Sequence, residues 1–480
     1  MANLVSIKIH RLVYLTIITK AIFLKNMINS QTLVSKISKI TSIDYHVGVT
    51  LLLRLWTIAA GGILIILIPL YLTAPEQGYF FTFASLIAMQ VFFELGFNYV
   101  VVQLIGHEMA HVTINNNRLE GDNNSISRIY SLISLLKKWY AIISLIFFVI
   151  VFFAGFYFFK HNGNLMLYDW LPGWTLLVFF SSVNLFISPF LAVLEGLGLV
   201  GQVATIRLIQ SIVGYTALSI LFICKLGLIS IPAVTGTAAL FSTVLVLRKY
   251  GKLLFRPELN NLLSSEKISW YKEIFPFQWK IALSWLSGYF IFQLFNPMLF
   301  AHQGSIEAGR VGLTLATFSA MLSLSMSWVT AKSPTMARLI AENKKSELNT
   351  LFISLMKKSA ILNLLVSILF LILVFLLKKF NIDIVNRIAS FDILVLLFVI
   401  SIANHAIFSM AVYMRCHKEE PMIWNSLLTG LIALPLIYIF SKISSFATIA
   451  IYGVIIIVIS LPWCYILFRK YYYRDVVDGD

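Results

Sequence analysis

The chain has 480 residues, of which 59% are hydrophobic and only 12% charged, with a mean hydropathy of +0.87. A soluble globular protein is nearer half apolar and a quarter charged, so this composition excludes an ordinary soluble enzyme and points to repeated bilayer crossings. The formal charge of +16 would suit a nucleic-acid binder, but its placement along the chain argues for membrane topology instead.

The first 46 residues form a basic tail. Within it Arg11–Met27 is apolar but interrupted by Lys20 and Lys25, too basic for a comfortable span. It reads either as an amphipathic helix on an anionic leaflet or as sequence ahead of a true start at Met27. No small-residue cleavage site follows it, which argues against a removed signal peptide.

A span needs about 20 mostly apolar residues. Apolar runs near 50–73, 79–105, 139–159, 171–195, 202–224 and 226–247 give spans one to six. Runs near 275–301, 308–332, 358–378, 391–415, 422–441 and 445–468 give spans seven to twelve. Expected domains are the tail 1–46, a first bundle 47–250, a linker 251–274, a second bundle 275–468 and a basic tail 469–480. The fold class is therefore all-α integral membrane, with about twelve transmembrane helices in two six-helix bundles.

Basic loops stay cytoplasmic. With the N-terminus inside, about thirty Lys and Arg fall on the inner side and seven outside: Lys160, Lys225, Arg310, Lys378, Lys379, Arg387 and Lys442. The alternation supports the span count and puts both termini in the cytoplasm. Nucleic acid is not an expected partner.

Traces of a repeat between the two sets of spans are visible, a feature known from multi-span membrane folds. Pro75-Glu76-Gln77-Gly78 follows span one and Ile306-Glu307-Ala308-Gly309 follows span seven, each giving Glu-x-Gly. Pro69 and Pro297 lie near the outer ends of the preceding spans. Asn184 stands eleven residues before Glu195, and Asn404 eleven before Arg415.

A charge at a helix centre costs roughly 2.5–3.5 kcal/mol on insertion scales and so marks an interior pathway. The candidates are Arg54 in span one, Glu94 in span two, Arg207 in span five and Lys280 in span seven, with His405 in span ten as a titratable addition. The three cations have a second reading, snorkelling to the inner headgroups. Glu94 is shorter and lies on a stripe, Gln90–Glu94–Asn98, spaced to share one helix face. Span seven carries Lys280, Ser284, Ser287, Gln293 and Asn296, and span eight is serine-rich from Ser319 to Ser327. A cleft lined by spans one, two, seven and eight would collect these groups. Its cations would suit phosphate groups and acidic sugars; the competing reading is a Glu94–Lys280 pair that holds the bundles together.

His107-Glu108-Met109-Ala110-His111 matches the zinc-protease H-E-x-x-H pattern. No apolar span supplies a third ligand, and the motif runs into the polar stretch Asn115–Asn124. A polar helix end is the expectation, with no metal and no cofactor. Cys224, Cys416 and Cys464 show no metal or disulfide spacing.

Ala74–His111, APEQGYFFTFASLIAMQVFFELGFNYVVVQLIGHEMAH, resembles polysaccharide flippases of the multidrug/oligosaccharidyl-lipid/polysaccharide exporter superfamily, especially O-antigen and lipopolysaccharide transport proteins. The features that carry the resemblance are the acidic-x-Gly-Tyr turn, FELGF, Gln103 and the His-Glu helix end. The resemblance implies a V-shaped, alternating-access transporter in the bacterial inner membrane. Its implied cargo is a polyprenyl-pyrophosphate-linked oligosaccharide received from the cytoplasmic leaflet, with a polysaccharide polymerase and other export machinery as partners. It also implies a cationic central cavity, to which Arg54, Arg207 and Lys280 correspond by position. The alternatives are a multidrug antiporter of the same superfamily, for which Glu94 is the one carboxylate in place, and a membrane sugar polymerase or glycosyltransferase. The last is disfavoured by outer loops of only about ten to thirteen residues (Lys160–Trp170 and Lys378–Ser390).

Overall fold

The computed structural model describes residues 45–115, 118–255, 268–417 and 419–477. The expected N-terminal amphipathic helix and half of the linker, residues 256–267, lie outside the described residues. Among the described residues ten helices are long and apolar enough to cross a membrane, or eleven when the bent pair Ala74–Glu94 and Phe97–Glu108 counts as one span. Expected span seven is two shorter helices, Phe275–Phe292 and Phe295–Gln303, and does not meet that measure. Its Gln278, Lys280, Ser284 and Ser287 dilute the apolar character that a span normally shows.

The packing partners repeat between the halves. In the first half span one packs on five, five on six, three on four, four on six and two on four. In the second half seven packs on eleven, eleven on twelve, nine on ten, ten on twelve and eight on ten. The asparagines singled out by the sequence take matching roles. Asn184 Nδ2 donates to the Thr235 carbonyl at 2.9 Å, linking spans four and six. Asn404 Nδ2 donates to the Tyr452 hydroxyl at 3.3 Å, linking spans ten and twelve. In a membrane such polar links hold helices together where apolar surfaces gain nothing over lipid.

The two Glu-x-Gly segments open the helices that follow, as their first turns. Thr73 caps the helix Ala74–Ile87: its Oγ1 accepts the Glu76 N–H at 3.4 Å, and Glu76 Oε2 accepts the Thr73 N–H at 2.8 Å. This reciprocal pairing satisfies donors that a helix start leaves free. Span eight, Ser305–Ala331, starts at the same level. There Gly78 and Gly309, the repeat-matched pair, meet face to face. A Cβ built on Gly78 would lie 1.9 Å from the Ser305 carbonyl oxygen, and one on Gly309 would lie 2.8 Å from the Gly78 nitrogen. Only glycine permits backbones so close. Tyr79 adds an edge-on ring contact to Phe300 of span seven, with centroids 4.9 Å apart. The halves are thus joined at this end by the equivalent helices two and eight crossing each other.

The polar stretch after span two is a β-hairpin, not a loop. Strand β1 (Val112–Asn115) pairs antiparallel with β2 (Arg118–Gly121), Val112 opposite Gly121 and Asn115 opposite Arg118. Val112 and Leu119 are buried beneath it. Asp122 then caps the 40-residue helix Asn123–Asn162 by accepting the Ser125 N–H at 2.9 Å. That hydrogen bond, the largest cause, holds the Asp122 carboxyl below its ordinary range.

Candidate functional site

Span two does not run straight through the membrane. After Ala74–Ile87 come a 3-10 turn, Ala88–Gln90, and a short helix, Val91–Glu94. Leu95 and Gly96 then take left-handed backbone angles, with φ 50° and 69°. A second helix, Phe97–Glu108, leaves at a bend of 43°. Glycine suits such an angle, whereas a leucine adopts it at a cost of roughly 1–2 kcal/mol.

Gly96 also permits close packing across the seam. A Cβ there would lie 2.4 Å from Ile281 Cγ2 and 3.6 Å from the Trp285 ring, both on span seven. Phe92 makes edge-on contacts with Tyr289 and Phe290 of the same span, at 4.9 and 5.6 Å. Nearer the Gly78 crossing, Ser85 accepts from Tyr289 Oη through its carbonyl and from Asn296 Nδ2 through its hydroxyl, each at 3.3 Å. Span seven therefore follows span two closely, and the break sits on the boundary between halves.

The stripe Gln90–Glu94–Asn98 converges on the break. Asn98 Nδ2 donates to Glu94 Oε1 at 2.6 Å and to Ser188 Oγ of span four at 3.0 Å. Gln90 Nε2 reaches Glu94 Oε2 at 3.4 Å. Asn98 Oδ1 and the hydroxyl of Tyr140, whose ring stacks on Phe97, are buried without a hydrogen-bond partner among the described residues. The result is a half-buried carboxylate dressed by neutral amides at the carbonyl end of a helix fragment.

The other expected site residues are placed differently. Arg207 lies within electrostatic range of Glu94, but its Nη2 pairs with Glu195 Oε1 at 2.9 Å. Span four thus ends on an acid beside span five, and Arg207 stands near Glu94 as half of an ion pair. Arg54 is exposed on span one. The side chain of Lys280 lies outside the described ones, so the Glu94–Lys280 pairing does too. His405 is not a cleft residue. It is 3% exposed, packed between spans nine and ten with its Nε2 2.7 Å from Ser359 Oγ, because the polar side of span ten faces its own bundle.

His107 and His111 do not share a helix face, since the helix ends at Glu108 and His111 lies beyond it. Glu108 instead accepts Arg128 Nε at 2.7 Å. Two residues important to the seam escaped the sequence reading. Gln77 Nε2 donates to the carbonyls of Gly309 at 2.8 Å and Arg387 at 2.9 Å, tying span two to span eight and to the turn before span ten. Ser85 is the second. A polar residue next to Gly78 was the available signal for Gln77; Ser85 looked like any small residue in a span.

No protein-family model matches this sequence, and no curated protein matches it. Solved structures do. An inward-facing structure of a multidrug resistance MATE family transporter of the MOP superfamily is 14% identical, with 89% of this chain and 98% of that one covered and a TM-score of 0.59. A MOP superfamily transporter from Pyrococcus furiosus, described as having a binding pocket of reversed polarity, is 12% identical over 84% of this chain and 98% of that one, with a TM-score of 0.43. An outward-facing multidrug resistance MATE transporter is 12% identical over 89% and 97%, with a TM-score of 0.42. At 14% identity and a TM-score of 0.59 the likeness is one of fold, and this chain has the two-lobed helical fold of a MATE-type transporter of the MOP superfamily.

Proposed function

We propose that this chain is a secondary transporter that moves an amphipathic cargo across the membrane by rocking its two halves, with the break in span two as the point where the cargo's polar part is recognised. The supporting observation is the coincidence at Glu94-Leu95-Gly96 of broken backbone, a carboxylate and the contact with span seven. Irregular backbone at membrane depth is tolerated where it is buried in protein or lines a water-filled path. Transporter sites characteristically use discontinuous helices at the repeat interface. The Lys and Arg distribution orients the basic end, with both termini, toward the cytoplasm of a bacterial inner membrane.

Two cargo classes have support. A lipophilic cation, the cargo class of a multidrug exporter, suits Glu94: its hydrogen-bond partners are neutral amides, and Arg207 is engaged by Glu195. The likeness to a multidrug transporter favours this reading. A polyprenyl-pyrophosphate-linked oligosaccharide is what the resemblance of Ala74–His111 implies. Sugar hydroxyls would suit Gln90, the free Asn98 Oδ1 and the Tyr140 hydroxyl. In that case a polysaccharide polymerase would consume the cargo on the outer side.

The test is transport by purified protein in liposomes offered a fluorescent lipophilic cation and, separately, a short-chain lipid-linked saccharide. Glu94→Gln is expected to slow the true cargo about tenfold, ~1.4 kcal/mol, with insertion unchanged. Movement of neither cargo by the unaltered chain would sink the reading.

A further inference from the structure

The basic end of the seam carries charges that cargo recognition does not use. Glu108 ends the second piece of span two, Arg128 lies early in the helix Asn123–Asn162, and Glu273 lies in the π-turn Trp270–Ile274 that leads into span seven. Arg128 Nε donates to Glu108 Oε1 at 2.7 Å, and Arg128 Nη2 donates to Glu273 Oε2. The other Glu273 oxygen accepts the Ser269 N–H at 2.8 Å, so that carboxylate is fixed from both sides.

The chain around Glu273 is attached to the first half by neutral contacts as well. Ile268 N–H donates to Ser131 Oγ at 3.2 Å. The Trp270 ring lies edge-on to Phe97 at 5.3 Å and beside Trp139 at 5.6 Å. A few residues later span seven packs on span eleven of the second half. The segment therefore docks on one half while the helix it feeds belongs to the other.

We propose that Glu108, Arg128 and Glu273 form a charge lock across the basic end of the seam, holding the entry of span seven against the first half and opening when the halves part there. The strength suits a part that must open. The Arg128 and Glu273 side chains keep 23% and 29% of their exposure, and ion pairs of that kind contribute modestly and respond to salt. The hydrogen bond to Glu108, first, and the one to Glu273 hold the Arg128 proton more firmly than usual. Burial pushes the Glu273 carboxyl upward, but the Ser269 N–H and Arg128 outweigh it and leave it below its ordinary range. Both groups thus stay charged around neutral pH.

The lock rests on the rocking reading, but it can be tested without any cargo. In a chain with Cys224, Cys416 and Cys464 replaced by alanine, Ser131→Cys and Ile268→Cys place two thiols at the dock, and disulfide cross-linking reads its closure. Glu273→Gln, which removes only the charge from the second half, is expected to lower cross-link yield about fivefold, ~1 kcal/mol. Glu108→Gln should lower it less, and Arg128→Lys should retain part of it. Unchanged yield in both Glu273→Gln and Arg128→Gln, at normal membrane levels, would overturn the lock. Failure of transport in the unaltered chain would instead strike the proposed function and leave the cross-linking result standing.

Discussion

The two ends of the seam are held by different physics. At the Gly78–Gly309 crossing the join is one of shape: a Cβ at Gly78 would sit 1.9 Å from a backbone oxygen, and Gln77 is 1% exposed. At the basic end charge is added to the neutral contacts of Ile268 and Trp270, with Arg128 between two partly exposed carboxylates. A packed backbone contact is all-or-none and indifferent to ions, whereas an ion pair can be weakened by degrees. The difference teaches where the molecule can be tuned without being rebuilt.

The largest expected effect is on the shape-held end. Gly78→Val should push spans two and eight apart, a strain on the order of 1–3 kcal/mol or more because backbone, not a flexible side chain, must yield. With Ser85→Cys as a reporter, a thiol reagent added from the outer side should label the variant far faster; equal labelling would mean the crossing does not close that end. Gln77→Ala should act in the same direction but less, losing two hydrogen bonds worth about 0.5–1.5 kcal/mol each.

Smaller effects sharpen the contrast by touching only the charge-held end. Raising salt from 0.05 to 0.5 M should reduce the Ser131–Ile268 cross-link by less than about fivefold and leave Ser85 labelling unchanged. For pH, a carboxylate held below its unfolded value contributes above that value, and the contribution is lost as pH falls through the lowered one. The lock should therefore survive the ordinary glutamate range near about 4.3 and fail only at more acid pH. Loss of the cross-link already at pH 6 would contradict the Glu273 assignment.

A second contrast, between spans two and eight, locates the site. In the register that matches Gly78 to Gly309, Gln90, Glu94 and Asn98 fall on Met321, Ser325 and Val329. Span eight is continuous there, and Ser325 Oγ donates back to the Met321 carbonyl at 2.9 Å. The repeat supplies the frame; the polar break belongs to one copy.

Much of that frame was legible, because apolar length and basic-loop alternation are read directly from composition along the chain. The convergence of Gln90, Glu94 and Asn98 was legible from spacing. The break itself was not: Gly96 is one of 24 glycines, and nothing local marks Leu95 for a left-handed angle. The surroundings of His405 and Arg207 were not legible, for one reason. A polar residue in a span faces away from lipid, but sequence does not say whether it meets a cleft, its own bundle or a nearby opposite charge such as Glu195. The hairpin Val112–Gly121 left a faint signal, with Val112 and Ile114 alternating with polar residues, too short to weigh against a loop.

The account rests on the two ends opening in turn about the broken span. Its most direct test is a pair of spin-label distances in lipid nanodiscs, one across the outer end from span two to span eight, one across the basic end from Ser131 to Ile268. Cargo and Glu273→Gln should shift the two distance distributions in opposite directions. Two distances that widen together, or neither changing, would contradict the account.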